Sequence, residues 1–464
     1  MKKVLNERDN VGVSLTETDI PAGHKYALRD IKIGEPVIKY GEIIGRTTCD
    51  IKSGEWVHTH NVRSHLDEDV SYVYEYNSAP TVRTNMTFRG YKRSAGRAGV
   101  RNDIYIIPTV GCVNNVCEAL AKKCQPLIKG SVDGVWALVH QFGCSQLGAD
   151  NENIKKLLCG IALNPNATFV LFVGLGCENN GMDGIREYLK EYNRDNIAYM
   201  VCQDVSDEIE EGMKILTDFI ERASVLQRED IDISELTIGL KCGGSDGYSG
   251  ITANPTLGKV TDTLVGAGGS AILTEVPEMF GAEQILMNKC KNIDVFNRYK
   301  KMIEDFKAYY TNQGFPVYEN PSPGNKKGGI TTLEEKSLGC IKKAGSSDIV
   351  DVLDYGDIQR EVGVSALNAP GNDLIAATAL GASGCQVVVF TTGRGTPFST
   401  FVPTIKVASN DKLASFKSNW IDFNAYTMLD TGLLNLIIKC ASGEYKAKSE
   451  EYREIAFYKT GVTL

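Results

Sequence analysis

His58 and His60 stand two residues apart in EWVHTHNV (55–62). In an extended strand, residues i and i+2 project from one face, so both imidazoles would reach a single ion. His24 follows a glycine turn in the same segment, which holds four of the chain's five histidines, and completes a candidate set of nitrogen ligands. A half-exposed β face would present the same residues with no ion. Cys144, Cys177 and Cys242 form an alternative constellation, each in or beside a Gly-rich loop that follows an apolar run. Soft thiolates suit iron, and three cysteines on an iron–sulfur cluster would leave one iron open to a ligand. Small buried residues at tight turns are the plain alternative. Cys112, Cys117, Cys124 and Cys159, on or beside helical patterns, read as core packing.

Acid–base and binding groups lie in the same loops. His140 ends the apolar run GVWALV and is a candidate general base, since imidazole titrates near neutrality. Lys241 and Asp246 in KCGGSDG (241–247) are rivals for acid or base. A lysine becomes a base only where burial or a nearby cation lowers its pKa. Arg394 in TTGRGTP offers a planar fork for a carboxylate. Ser245, Ser249 and Asn254 can bond hydroxyl groups, and equally can form turns and caps.

The elements that must position these groups follow from periodicity. Residues 1–76 show short β patterns at 24–31, 36–46 and 55–62, punctuated by Gly34, Gly41, Gly45 and Gly54. They define a small all-β module, followed by a linker at 77–88 without clear period. Apolar runs at 104–110, 134–139 and 169–176 alternate with helical patterns at 114–124 and 151–163, which predicts parallel strands in an α/β unit over 89–230. A charged helix at 207–226 precedes a second α/β unit over 231–464, with strands at 236–242, 270–276 and 386–392. The expected fold is therefore multidomain α/β with mainly parallel sheets, in which loops at the carboxyl ends of strands carry the site.

Composition narrows the function classes. The 464 residues are 42% hydrophobic and 23% charged, enough for large cores. A net charge of -8 argues against a general nucleic-acid or membrane-surface binder, though local Arg and Lys can still hold an anionic substrate. Thirteen scattered cysteines and the absence of a secretory leader or an 18-residue apolar run predict a cytoplasmic protein with reduced thiols. A homodimer is the default expectation for its assembly.

The strings GYKRSAGRAGVRN (90–102), GLGCE (174–178), GLKCGGSDGYSGITANP (239–255), NPSPGNKKGG (320–329) and FTTGRGTPF (390–398) resemble the altronate/galactarate dehydratase family. GHKYAL (23–28), KYGEIIGR (39–46) and VHTHN (57–61) are similar to that family's SAF-type β-clip domain, and VHTHN points to the altronate branch. The resemblance implies dehydration of a sugar acid, with D-altronate giving 2-dehydro-3-deoxy-D-gluconate, and galactarate or another aldonate or aldarate as the alternative substrate. It implies Fe2+, or Mn2+, as the activating metal, which favours the histidines as ligands. It also lifts Lys326 and Lys327, otherwise solvated loop lysines, to candidates for holding the substrate. A dinucleotide-dependent oxidoreductase would need GxGxxG opening a helix after the first strand, and VGLGCENNG (173–181) lacks the third glycine in place. A sugar-acid sensor without turnover is the non-enzymatic alternative.

Overall fold

The computed structural model describes residues 2–66, 71–79, 84–192, 195–428 and 430–464. Part of the segment expected as a linker lies outside these residues. The N-terminal module holds two antiparallel sheets. One orders strands Lys2–Lys3, Val11–Ser14, Lys25–Ala27 and Trp56–Val57, and the other Pro36–Lys39, Glu42–Thr47 and Val62–Arg63. The hairpin between Pro36–Lys39 and Glu42–Thr47 turns through Tyr40 and Gly41, at φ 64° and 82°. Two left-handed residues in succession give the turn whose twist matches the flanking strands. The strand expected through His60 ends at Val57, because Asn61 N and Val62 N both bond the His58 carbonyl, at 3.0 Å each, and close a turn.

Strands Gly134–Ala137, Asp103–Pro108, Ala167–Gly174 and Ile197–Val201 lie in that spatial order in a parallel four-stranded sheet. The two central strands are buried at every residue, as near-continuous apolar runs between helical layers require. Helices Asn114–Cys124 and Glu208–Ser224 pack on one face, and Gly148–Leu163 and Met182–Lys190 on the other. Asp207, at the start of the charged helix, accepts from Ile209 N at 3.0 Å and Glu210 N at 2.9 Å, which fixes that helix's start.

The second unit is a seven-stranded parallel sheet. Its order is Ile349–Leu353, Val364–Leu367, Ser270–Leu273, Thr237–Cys242, Val387–Thr392, Thr404–Ala408 and Phe423–Asn424. Thr237–Cys242 is central; the chain then builds outward on one side and later on the other. The switch point falls between Thr237–Cys242 and Val387–Thr392, and the loop that follows Thr237–Cys242 borders a crevice at that carboxyl edge. An antiparallel pair, Thr87–Gly90 with Glu229–Asp232, ties the two α/β units together.

The β module shares one apolar cluster with the second unit, in which Val37, Ile44 and Val57 join Leu240, Leu257 and Leu338. It is also bound by charge. Lys25 Nζ and Lys39 Nζ each lie 2.7 Å from Glu335, all three side chains being at most 1% exposed. Removing one partner of a buried pair leaves the others uncompensated, at about 3–5 kcal/mol. Glu335→Gln should therefore lower the unfolding free energy of the whole chain by that amount, read as a lower denaturation midpoint, and increase cleavage between module and body in limited proteolysis. An unchanged midpoint would show that the pair is replaceable by water.

Candidate active site at the junction of the β module and the second sheet

The switch-point crevice collects most of the loop residues named from sequence. Asp246 lies in the loop after Thr237–Cys242. Its Oδ1 accepts from Ser249 N (2.9 Å), Ser249 Oγ (2.8 Å) and Ser409 Oγ (2.8 Å), and its Oδ2 from Asn410 Nδ2 (2.9 Å). Burial raises its pKa while these donors oppose the rise. With both oxygens engaged, Asp246 shapes the loop and is not a free base, and Ser249 is its partner. Asn254 is likewise spent internally, donating to Gly339 O (3.0 Å) and accepting from Thr391 Oγ1 (2.6 Å). Ser245 differs: its buried hydroxyl has no hydrogen-bond partner. Arg394, Lys326 and Lys327 are exposed at the mouth, with Arg394 Nη1 3.4 Å from Gly324 O.

Lys241 is fully buried, with Nζ bonded to Glu275, to Asp373 at 2.9 Å and to Cys242 O at 2.6 Å. Burial opposes its charge, but Glu275 and Asp373 hold its pKa above the ordinary lysine value. It stays protonated and cannot serve as the base. Lys343 Nζ lies 2.7 Å from Glu275 Oε2 and 2.9 Å from Cys242 Sγ, and Lys336 Nζ lies 2.8 Å from Glu278 Oε1. Cys340 Sγ completes the network, 3.4 Å from Cys242 Sγ and 3.2 Å from Glu278 Oε2. Cys242, Glu278 and Cys340 are the one group of three described residues with metal-ligating atoms mutually within 4.8 Å. Lys343 and Lys336 already neutralise it, and the Cys242 contact together with burial holds the Cys340 thiol neutral. A divalent ion does not fit there without expelling a lysine.

The histidines divide. His24 Nδ1 accepts from Trp56 Nε1 at 3.2 Å, and its Nε2 faces the Lys327 carbonyl at 3.3 Å, so neither nitrogen is free for a metal. His58 uses Nδ1 on Thr331 Oγ1 at 3.0 Å and keeps Nε2. His60 is exposed, with its ring 5.1 Å from that of Trp56, on which His58 also stacks at 5.6 Å. His58 and His60 thus keep nitrogens free for a metal and His24 does not, and a turn rather than strand alternation places them.

His140 lies elsewhere. It is buried on Phe457, with Nε2 donating to Pro108 O at 2.7 Å and Nδ1 accepting from Phe142 N at 3.1 Å. Burial drives its pKa down to about 4. Both nitrogens serve the backbone, so His140 is structural and not the base. Cys144 and Cys177 are exposed at the first sheet, and Cys242 is buried in the second, so the three expected cluster ligands are not one site. Cys117, Cys124 and Cys159 are buried as expected, whereas Cys112 is exposed.

Three residues that sequence inspection passed over stand at the centre. Lys39 and Glu335 line the crevice, and Lys25 lies behind them on Glu335, donating also to Thr331 Oγ1 (2.8 Å) and Gly329 O (2.9 Å). Burial first, then the Lys39 charge, lower the Lys25 pKa to about 8 against the pull of Glu335. Lys39 is buried too, but Glu335 and Tyr40 raise its pKa above the ordinary value. One signal was available: in Pro36–Lys39, alternation places Lys39 on the same inward face as Val37.

A β module seated on the carboxyl edge of a parallel sheet, with lysines of both signs of shift at the junction, defines a SAF-type module fused to an α/β body. Residues 3–65 match the altronate/galactarate dehydratase SAF domain, 90–224 the D-galactarate dehydratase/altronate hydrolase second domain, and 233–463 the D-galactarate/altronate dehydratase C-terminal domain. The altronate dehydratase of Bacillus subtilis is 49% identical over 471 residues, covering 98% of this chain and 94% of that protein. That of Escherichia coli is 45% identical over 469 residues, covering 98% and 94%. The (2R)-sulfolactate sulfo-lyase of Chromohalobacter salexigens matches through two chains: subunit beta, 32% identical, covers 79% of this chain and 96% of its own, and subunit alpha, 53% identical, covers 10% and 48%. The chain belongs to the altronate/galactarate dehydratase family.

The assignment of His140 has a pH consequence. Its folded pKa lies below the unfolded value near 6.5, so the unfolded state binds the extra proton and stability falls as pH drops from 6.5 toward 4. The loss from this group is on the order of 3 kcal/mol. His140→Gln should flatten that part of a denaturation-midpoint profile and leave the pH dependence of turnover unmoved. A shifted turnover profile would restore His140 to the chemistry.

Proposed function

We propose that this chain removes water from a sugar acid, with D-altronate giving 2-dehydro-3-deoxy-D-gluconate. Galactarate or another aldonate or aldarate is the alternative substrate, since the family includes both activities by name. The observation that carries the assignment to this site is the Lys25–Glu335–Lys39 cluster, where one carboxylate divides two buried lysines into a weak acid and a strong cation. Environments that push two titratable groups apart mark an acid and a base.

Dehydration of a 2,3-dihydroxy acid takes the proton from C2 and expels the C3 hydroxyl. Arg394, with Lys326 and Lys327 beside it, receives the carboxylate at the mouth and stabilises the charge that builds there as C2 loses its proton. Lys25, neutral and released from Gly329 O when the loop at 323–330 parts, takes that proton. Lys39, kept protonated, gives a proton to the departing C3 oxygen, so that water leaves and the resulting enol becomes the 2-keto acid. The space enclosed among Lys39, Ser245, Asp246, Glu335 and Lys336 is about 10 Å³, room for a single water. A six-carbon acid enters only when the loops at 245–250 and 323–330 part. For the ferrous or manganous ion, His58 and His60 supply free nitrogens, and such an ion contributes Lewis-acid polarisation of carboxylate or leaving oxygen.

Product formation from D-altronate, galactarate and a panel of aldonates tests the reaction. With D-altronate, kcat/KM should rise about tenfold per pH unit up to a plateau near pH 8, following the neutral form of Lys25. Lys25→Gln should lose that limb and at least about a hundredfold in kcat. Turnover with a flat profile from pH 6 to 8.5 would remove Lys25 from the mechanism and leave the dehydration standing. No product from any sugar acid, with ferrous iron present, would overturn the function itself.

A further inference from the structure

Three thiols stand on neighbouring loops at a place the junction site does not use. Cys112, Cys144 and Cys177 are free and exposed, and each sits in the loop after one of three adjacent parallel strands, Asp103–Pro108, Gly134–Ala137 and Ala167–Gly174. Neighbouring strands run about 4.8 Å apart, so these loops leave one sheet edge side by side. They are also bonded to one another. Gly111 N donates to Phe142 O at 2.9 Å, Asn180 N to Gly143 O at 3.0 Å, Ser145 N to Asn179 Oδ1 at 2.8 Å, and Thr109 Oγ1 to Glu178 Oε1 at 2.5 Å. Gly143, at φ +104°, makes the approach possible, since a Cβ there would stand 2.0 Å from Thr109 O.

The surroundings favour a negatively charged guest. Helices Asn114–Cys124, Gly148–Leu163 and Met182–Lys190 follow these same three loops, and none has a side-chain cap, their first residues being preceded by Val113, Leu147 and Gly181. Six helices elsewhere are capped by Asp207, Asn292, Ser322, Thr332, Asn372 and Asn410. Three uncapped amino ends after neighbouring strands concentrate donors and positive potential at one edge. A second observation is independent of the helices. Asn180 is 2% exposed, and neither its side-chain Oδ1 nor its Nδ2 has a partner. It lines a polar cavity of about 420 Å³ with Lys155 and Arg186 and the carboxylates Glu178, Asp183 and Asp204. A buried amide left unpaired costs about 1–3 kcal/mol, which a ligand in this cavity would recover.

The spread of the sulfurs selects the kind of ligand. Among the described residues they do not all lie within 4.8 Å of one another, which is too open for one tetrahedral ion. A multinuclear cluster spaces its thiolates more widely and carries net negative charge. We propose that Cys112, Cys144 and Cys177 bind a [4Fe–4S] cluster through three thiolates, leaving its fourth iron without a protein sulfur beside the 420 Å³ cavity and open to an oxygen ligand.

The test reads cluster content and not turnover, so its result is separable from that of the dehydration. The full chain, purified without oxygen or reconstituted with ferrous iron and sulfide, should hold about four iron and four acid-labile sulfide and give an electron paramagnetic resonance signal on reduction. Cys112→Ala, Cys144→Ala and Cys177→Ala should each lose most of the sulfide while keeping the melting temperature of the cluster-free wild type, and Cys49→Ala, exposed in the β module, should retain the sulfide. Iron without labile sulfide, or full sulfide retained in the triple alanine variant, would overturn the proposal. Absence of both from the reconstituted wild type would overturn it equally.

Discussion

Charges taken out of water must meet opposite charges, and the helix Leu333–Cys340 carries three of them in succession. Glu334, Glu335 and Lys336 are all buried, and each turns to a different part of the molecule. Glu334 accepts from Ser64 Oγ at 2.9 Å and His65 N at 2.8 Å, at the end of the β module. Glu335 takes Lys25 and Lys39 inside that module, and Lys336 reaches Glu278 after strand Ser270–Leu273. The helix can satisfy all three only where module and sheet both surround it. Its position, and with it the crevice, follows from that single requirement.

The same requirement accounts for strain. Glu275 is one of three described non-glycine residues with positive φ, at 74°. Such a backbone costs roughly 1–3 kcal/mol and persists only when surrounding bonds over-determine it. Here the Glu275 carboxylate accepts from Cys242 N at 3.0 Å and neutralises both Lys241 and Lys343. An unstrained backbone would turn that carboxylate away from two fully buried ammonium groups. Strain, ion pairing and the depth of the site are thus one arrangement, and Lys241 is locked as a cation because of it.

Much of the scaffold was legible and much of the chemistry was not, for identifiable reasons. The helix at Asn114–Cys124 and the strands at 103–108, 167–174, 237–242 and 387–392 follow from uninterrupted apolar runs and 3.6-residue periods. Strands Val364–Leu367 and Thr404–Ala408 are short and adjoin polar loops, so periodicity did not separate them. Lysines and glutamates read as surface residues unless an alternation argument is pressed, which concealed Lys25, Lys39 and Glu335. His58 and His60 were found but given a strand's geometry where Asn61 closes a turn. Cys112 read as core packing because membership of the three-thiol edge depends on strand order. The strand before Cys112 lies between those before Cys144 and Cys177, and sequence order does not reveal that.

The two sheet edges are also mechanically joined. From Glu454 the chain runs beside Thr400, donates from Ala456 N to Thr378 Oγ1 at 3.1 Å and from Tyr458 N to Tyr355 OH at 2.9 Å, all on the second unit. It then crosses to the first, where Asp150 accepts from Thr460 N at 3.0 Å and Gly461 N at 2.6 Å, and Leu464 N donates to Ser145 O at 3.0 Å. Ser145 adjoins Cys144 and itself has φ 64°, a conformation that a non-glycine residue keeps only under restraint. Some of that restraint therefore comes from a strap anchored on the second sheet. The loop that presents Cys144 is set by contacts from both α/β units, so a shift between the units would reach it through that strap.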